Sequence, residues 1–177
     1  MDSNGKHQNS QSNEQENKDA LRREFRAALG AFATGVTVLT ALDDGGQPIG
    51  VTISSFNSVS LDPPLILWSL DVNSPNLEAF RGARHYAVNV LAADQQPLSD
   101  RFASRREKRF DDLPWNPGLS GAPLFAGCCA WFECVSEAHY PGGDHLIFVG
   151  RVERFSLGEA EAPLVFHQGR YRRLDAA

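Results

Sequence analysis

Three short segments carry side chains that a plain strand or turn does not need. Thr52-Ile53-Ser54-Ser55-Phe56-Asn57-Ser58-Val59-Ser60 sets hydroxyls and an amide along a stretch that otherwise reads as core. A strand with one solvated face has this pattern. So has a strand whose small polar side chains let a flat heteroaromatic ring approach the backbone and hydrogen-bond through its carbonyl and imide edge. The residues alone leave both readings open. Ser69-Leu70-Asp71-Val72-Asn73-Ser74 leads from an apolar run into Ser74-Pro75, which reads as a helix N-cap and the first helical residue. Free N–H groups at such an end attract phosphate, although Pro75 removes one donor. Gly142-Gly143-Asp144-His145 places an imidazole at a strand start, with Asp144 either shaping the turn or tuning the ring.

Cys128, Cys129 and Cys134 crowd into one segment without a CxxC pair or a histidine at metal-ligand spacing. They read as free thiols buried in a reducing cytoplasm.

The elements that position these segments follow from periodicity. Leu21, Phe25, Leu29 and Phe32 recur at helical spacing, which predicts a helix whose apolar stripe lies on the rest of the fold. Strands are expected over 36–42, 49–61, 65–70 and 85–91, with Asp43-Asp44-Gly45-Gly46 turning the first hairpin. Short helices are expected after Ser74 and over 94–104, and an ordered proline-rich loop over 111–127. A long hairpin, 130–140 with 146–157, and a last strand pair around Gln168-Gly169 complete the chain. Hairpins outnumber crossovers, so the fold class is mainly β: an antiparallel barrel with a few short helices. No GxGxxG follows a first strand, which argues against a Rossmann site.

At 177 residues, 42% hydrophobic and 22% charged, the chain suits one globular domain. A net charge of −5 argues against general nucleic-acid or anionic-membrane binding, and no apolar run is long enough to span a bilayer. Residues 1–18 are almost wholly polar and read as a disordered tail without the apolar core of a secretion signal; 19–177 form the domain. A cytoplasmic location is expected.

Seven motifs in order resemble the flavin reductase-like, FMN-binding split-barrel family. They are Thr34-Gly35-Val36-Thr37-Val38-Leu39-Thr40, Ser54-Ser55-Phe56, Val59-Ser60-Leu61-Asp62-Pro63-Pro64-Leu65, Val88-Asn89-Val90-Leu91, Arg101-Phe102-Ala103, Gly143-Asp144-His145 and Pro163-Leu164 with Gly169-Arg170-Tyr171. The resemblance spans about 25–174. It implies a homodimeric Greek-key split barrel that reduces FMN or FAD with NADH or NADPH and releases reduced flavin to a separate oxygenase.

It further implies that Thr52, Ser54 and Ser55 hold the isoalloxazine ring, with Val51 in the same set. Ser69, Leu70, Asn73 and Ser74 would follow the ribityl-phosphate, with Arg101, Phe102 and Ala103 closing over it. His145 would serve the nicotinamide side, with Tyr171 a second candidate there. Many members carry a basic residue where this chain has Asp71-Val72-Asn73. The phosphate partner is then backbone N–H, Ser74, or an arginine such as Arg81, Arg101 or Arg105, and the choice of FMN or FAD stays open. Two other readings remain: a split-barrel flavoenzyme holding FMN tightly for a dedicated substrate, and a non-catalytic flavin binder.

Overall fold

The computed structural model describes residues 4–104, 110–160 and 162–174, with side chains from residue 15 onward. Its strands are β1 (Thr34–Gly35), β2 (Thr37–Leu42), β3 (Pro48–Ile53), β4 (Asn57–Leu61), β5 (Pro64–Asp71), β6 (His85–Val90), β7 (Asn116–Pro117), β8 (Pro123–Leu124), β9 (Ala130–Gly142), β10 (His145–Leu157), β11 (Val165–His167) and β12 (Arg170–Arg172). The helices are α1 (Asn4–Gly30), α2 (Leu77–Gly82) and α3 (Gln96–Ala103).

Helix α1 departs from expectation twice. It begins at Asn4 rather than near Leu21, so the segment read as a disordered tail carries helix from Asn4 on. That segment holds no proline, and its Gln, Glu and Lys residues cost a helix little. Nor is the apolar stripe covered: Leu21, Phe25 and Leu29, with Phe32 just past the helix end, are 58–77% exposed. By compactness the chain divides into two units. One is the chain through Ala33 with the hairpin tip His167–Arg170, where the Gln168 N–H donates to the Gly30 carbonyl at 2.9 Å. The other comprises Thr34–Phe166 and the residues from Tyr171.

The larger unit is built on a seven-stranded sheet of order β3-β2-β6-β9-β10-β5-β4, antiparallel throughout. Its two edge strands, β3 and β4, are consecutive in the chain. The single strand expected over 49–61 is therefore two strands, parted at Ser54-Ser55-Phe56 and lying at opposite ends of the sheet. The Ser55 hydroxyl spans the gap: it accepts the Ser69 N–H and donates to the Ser69 carbonyl, both at 3.0 Å. One side chain thus occupies both ladder positions of a β5 residue.

The sheet's interior is aromatic. Trp68 stacks on Phe148 at 4.1 Å and meets Phe80 and Tyr86 edge-on, all four buried. A second core of Val36, Val38, Leu91, Phe102, Phe125 and Leu164 lies with α3 and the proline-rich loop. That loop is ordered, as expected, and side chains from the sheet fasten it. The Asn89 amide donates to the carbonyls of Val38 and Pro123 and to the Thr40 hydroxyl, and its oxygen accepts the Phe125 N–H at 2.9 Å.

A register shift between Val152 and Arg154 sets Arg154 opposite Glu133. The Glu133 carboxylate, almost wholly buried, accepts from Arg154 and from the Leu119 N–H. Burial alone would raise its pKa, but those donors and the guanidinium charge outweigh it and hold the carboxyl below its usual range. Cys128 and Cys134 are buried thiols, both pushed up to about 12 chiefly by burial, while Cys129 is half-buried. Cys128 and Cys134 therefore stay protonated at neutral pH.

Candidate functional site

A cleft of about 200 Å³ opens where strand β5 leaves the sheet. Val51, Leu70, Asp71, Asn73, Ser74, Pro75, Asn76, Phe102, Ala103 and Ser104 line it. Six of these, Val51, Leu70, Asn73, Ser74, Phe102 and Ala103, are among the candidate cofactor residues. They come from three regions that are distant in sequence: β3, the end of β5 with the loop after it, and the end of α3.

Close backbone approach makes the cleft wall possible. A Cβ added to Gly50 would stand 2.7 Å from Cδ1 and Cε1 of Phe102 and 3.3 Å from Cζ of Phe110. Only a glycine in β3 lets the Phe102 ring lie against the strand. Phe102 is itself buried against Phe110 and Phe125, at ring separations of 5.0 and 5.3 Å. From the other side the Asn76 amide donates to the Gly50 carbonyl at 3.0 Å, tying the loop to the strand.

The loop Asp71–Asn76 is folded on itself. Asp71 accepts the Asn73 N–H on its carboxylate at 2.7 Å and the Ser74 N–H on its carbonyl at 2.9 Å. The Val72 N–H goes to the Asp144 carbonyl, the Asn76 N–H to the Ser74 hydroxyl and the Leu77 N–H to the Ser74 carbonyl. Pro75 has none. The backbone donors expected to meet a phosphate are therefore already engaged. The N-cap of α2 is Asn76 rather than Ser74, because the Ser74 hydroxyl bonds the Asn76 N–H and closes a turn before the helix. The loop's remaining side-chain donors to a ligand are the Ser74 hydroxyl and one amide hydrogen each of Asn73 and Asn76. Among the candidate arginines, Arg81 pairs with Glu78 at 3.7 Å, Arg101 donates to the Asp111 carbonyl, and Arg105 lies outside the described residues.

The other candidates lie outside this lining, and Tyr171 lines a separate cleft with Asp94, Gln96 and Asp100. The Thr52 hydroxyl donates to the Ser99 carbonyl of α3 at 2.7 Å. Ser54 is exposed at the crossing between β3 and β4, and Ser55 and Ser69 are bound to each other as described. Tyr171 hydrogen-bonds Ser99 and Asp100 at 2.8 and 3.0 Å. His145 begins β10 directly opposite Asp71 of the cleft. A two-residue turn with Gly143 at φ +71°, as a type II′ hairpin requires, sets it there, and its Nδ1 lies 2.8 Å from the Asp144 carboxylate. Asp71, Pro75, Asn76 and Ser104 were missed. Gly50 carried a legible signal, a glycine inside an apolar strand; Asn76 carried none.

This assembly can be set beside known proteins. The pattern of the Flavin reductase like domain family matches residues 29–175. The chain belongs to this family. Among other members, the FMN reductase (NADH) SmoA of Agrobacterium fabrum is 50% identical over 151 residues, covering 85% of each chain. The flavin-dependent monooxygenase reductase subunit HsaB of Rhodococcus jostii is 39% identical, covering 86% of this chain and 78% of its own. The Streptomyces globisporus NADH:FAD oxidoreductase SgcE6, solved with NAD and FAD fragments, superposes with a TM-score of 0.82 at 39% identity, over 87% of this chain and 93% of that one. Three further curated relatives are longer, and this flavin reductase-like chain spans 43%, 48% and 58% of them.

Proposed function

We propose that this chain is an NAD(P)H:flavin oxidoreductase that reduces FMN or FAD and supplies the reduced flavin to a separate monooxygenase. The observation that carries this is the cleft. Within a chain of the flavin reductase-like family, six residues singled out for the cofactor converge on one concavity. Its chemistry suits a flavin, with Val51, Leu70 and Phe102 for an apolar ring system and Asn73, Ser74 and Asn76 for a polar chain. Val51, Leu70, Asn73, Ser74, Phe102 and Ala103 would hold the cofactor, Ser54 would meet the ring edge, and Arg101 would stay beside the phosphate end. Bound flavin and nicotinamide would supply the redox chemistry, leaving the protein to bind, orient and exclude water. His145, beside Asp71 at the rim, orients the dinucleotide.

The split-barrel reading rests on edge strands that are joined by three residues and latched by Ser55. The homodimer reading rests on two observations. A cleft of about 200 Å³ is smaller than the usual ligand site of roughly 300–1,000 Å³, so a second copy completes it. The bare stripe Leu21, Phe25, Leu29 and Phe32 offers a self-complementary surface. Phe25→Asp should convert the dimer to monomer in size-exclusion chromatography with light scattering; an unchanged mass would remove the stripe from the interface. No described helix is long and apolar enough to cross a membrane, and a cytoplasmic site of action is part of this proposal.

The test follows NADH and NADPH oxidation with and without added FMN, FAD or riboflavin. Turnover that requires and saturates with added flavin supports the reductase. Retained flavin with no acceleration points to a dedicated flavoenzyme, and no oxidation with any flavin leaves a binding protein. In the same assay His145→Ala should raise the nicotinamide KM by roughly tenfold and change kcat by less than about threefold. A large kcat loss at unchanged KM would instead make the imidazole part of the chemistry.

A further inference from the structure

Helix α3 is held from both sides at one residue. Ser99 is fully buried, and its carbonyl accepts the Thr52 hydroxyl from β3 at 2.7 Å. Its side-chain hydroxyl lies 2.8 Å from the Tyr171 hydroxyl of β12, which also lies 3.0 Å from the Asp100 carboxylate. The acceptor-only groups fix every proton in this chain of bonds. A carbonyl cannot donate, so Thr52 donates to Ser99. An ionised carboxylate cannot donate, so Tyr171 gives its one proton to Asp100. The Ser99 hydroxyl therefore donates to the Tyr171 oxygen. Burial, with the Asp100 carboxylate beside it, holds the Tyr171 phenol above its ordinary pKa, so it keeps that proton at neutral pH. The Tyr171 ring is fixed in turn by edge-on contact with Phe166 at 5.5 Å.

One helical turn beyond Ser99 stand Phe102 and Ala103, which wall the cleft. Residues three and four apart share a helix face, so the position of that wall follows the position of Ser99. We infer that Tyr171 is a positioning residue for flavin binding: its hydroxyl, through Ser99, sets where α3 places Phe102 and Ala103. This relocates a residue that sequence resemblance put at the nicotinamide side. The inference rests on the flavin-reductase reading of the cleft.

Tyr171→Phe removes the oxygen alone and leaves the Ser99 hydroxyl buried without its acceptor. The measurement is steady-state flavin reduction, with the Kd of oxidised flavin from fluorescence quenching and the melting temperature recorded on the same samples. Flavin KM and Kd should rise about three- to tenfold, the range that one net hydrogen bond supports, while kcat at saturating flavin and the NADH KM stay within about twofold. Ser99→Ala should shift flavin affinity in the same direction. The double variant should be no worse than the poorer single, because it removes both partners of one bond.

A lower melting temperature with unchanged flavin KM and Kd would overturn the inference and leave Tyr171 a purely structural residue. So would a loss of kcat at unchanged flavin KM, or strictly additive effects in the double variant. Wild-type protein that shows no flavin-dependent turnover overturns the functional reading and this inference together, whereas wild-type turnover with unmoved variants sinks only the inference.

Discussion

Gly50→Val should cost most of the protein's affinity for flavin while leaving it folded. The first added atom, Cβ, would stand 2.7 Å from two carbons of the Phe102 ring, well inside van der Waals contact, and the Phe110 ring lies only 3.3 Å away. An exposed ring would swing aside cheaply. Phe102 cannot, because it is buried between Phe110 and Phe125 and sits on a helix clamped at Ser99. The strain must move α3, and with it the cleft wall, away from β3. Overpacking of this kind costs about 1–3 kcal/mol, which corresponds to roughly a five- to hundredfold weaker site if it falls on the bound geometry. Gly50→Ala should lie between wild type and valine. Flavin Kd by fluorescence titration, with circular dichroism to confirm the fold, decides the matter; valine and wild type binding flavin equally would mean that Phe102 does not wall the site.

That glycine shows where sequence reasoning succeeded and where it stopped. Short motifs such as Arg101-Phe102-Ala103 were legible because their order along the chain is a one-dimensional property. Periodicity makes 49–61 one continuous strand because alternation has the same period on both sides of Ser54-Ser55-Phe56, and a period says nothing about which neighbour a strand pairs with. The hydroxyls there looked alike, yet Ser55 closes the sheet against Ser69 and Thr52 anchors α3. Whether a small polar side chain faces a ligand or a backbone group is decided by residues 14 or 47 positions away. Periodicity located the apolar stripe of α1 but not the helix's start at Asn4, and the expectation that the stripe lies on the rest of the fold fails because spacing identifies a stripe without identifying what covers it. His145 is set opposite Asp71, a residue of the cleft lining, by a strand register that no local motif encodes.

The largest loss of stability should come from Asn89→Leu, a residue within the motif Val88-Asn89-Val90-Leu91. Its side chain is fully buried, and both ends of its amide bond fixed partners: the nitrogen donates to Val38, Thr40 and Pro123, and the oxygen accepts the Phe125 N–H. Leucine is the larger side chain, so no cavity opens, and some overpacking adds to the polar loss. The Phe125 N–H, at a residue itself buried, is left without an acceptor, and the carbonyls of Val38 and Pro123 each lose a donor. The Thr40 hydroxyl still donates to Pro123 at 2.6 Å, so the loop is weakened rather than freed. Stranded buried groups cost about 1–3 kcal/mol each, so a total of about 3 kcal/mol or more is expected, or roughly 6–12 °C in Tm for a domain of this size. The damage should also reach the cleft. Phe125 leans on Phe102 at 5.3 Å, so a loosened loop releases the back of the cleft wall. Asn89→Leu should therefore lower Tm and raise the flavin KM together, although the residue is remote from the cleft lining. A Tm drop with an unchanged flavin KM would show that the loop supports the sheet alone and that the path from Asn89 through Phe125 to Phe102 carries no positional information.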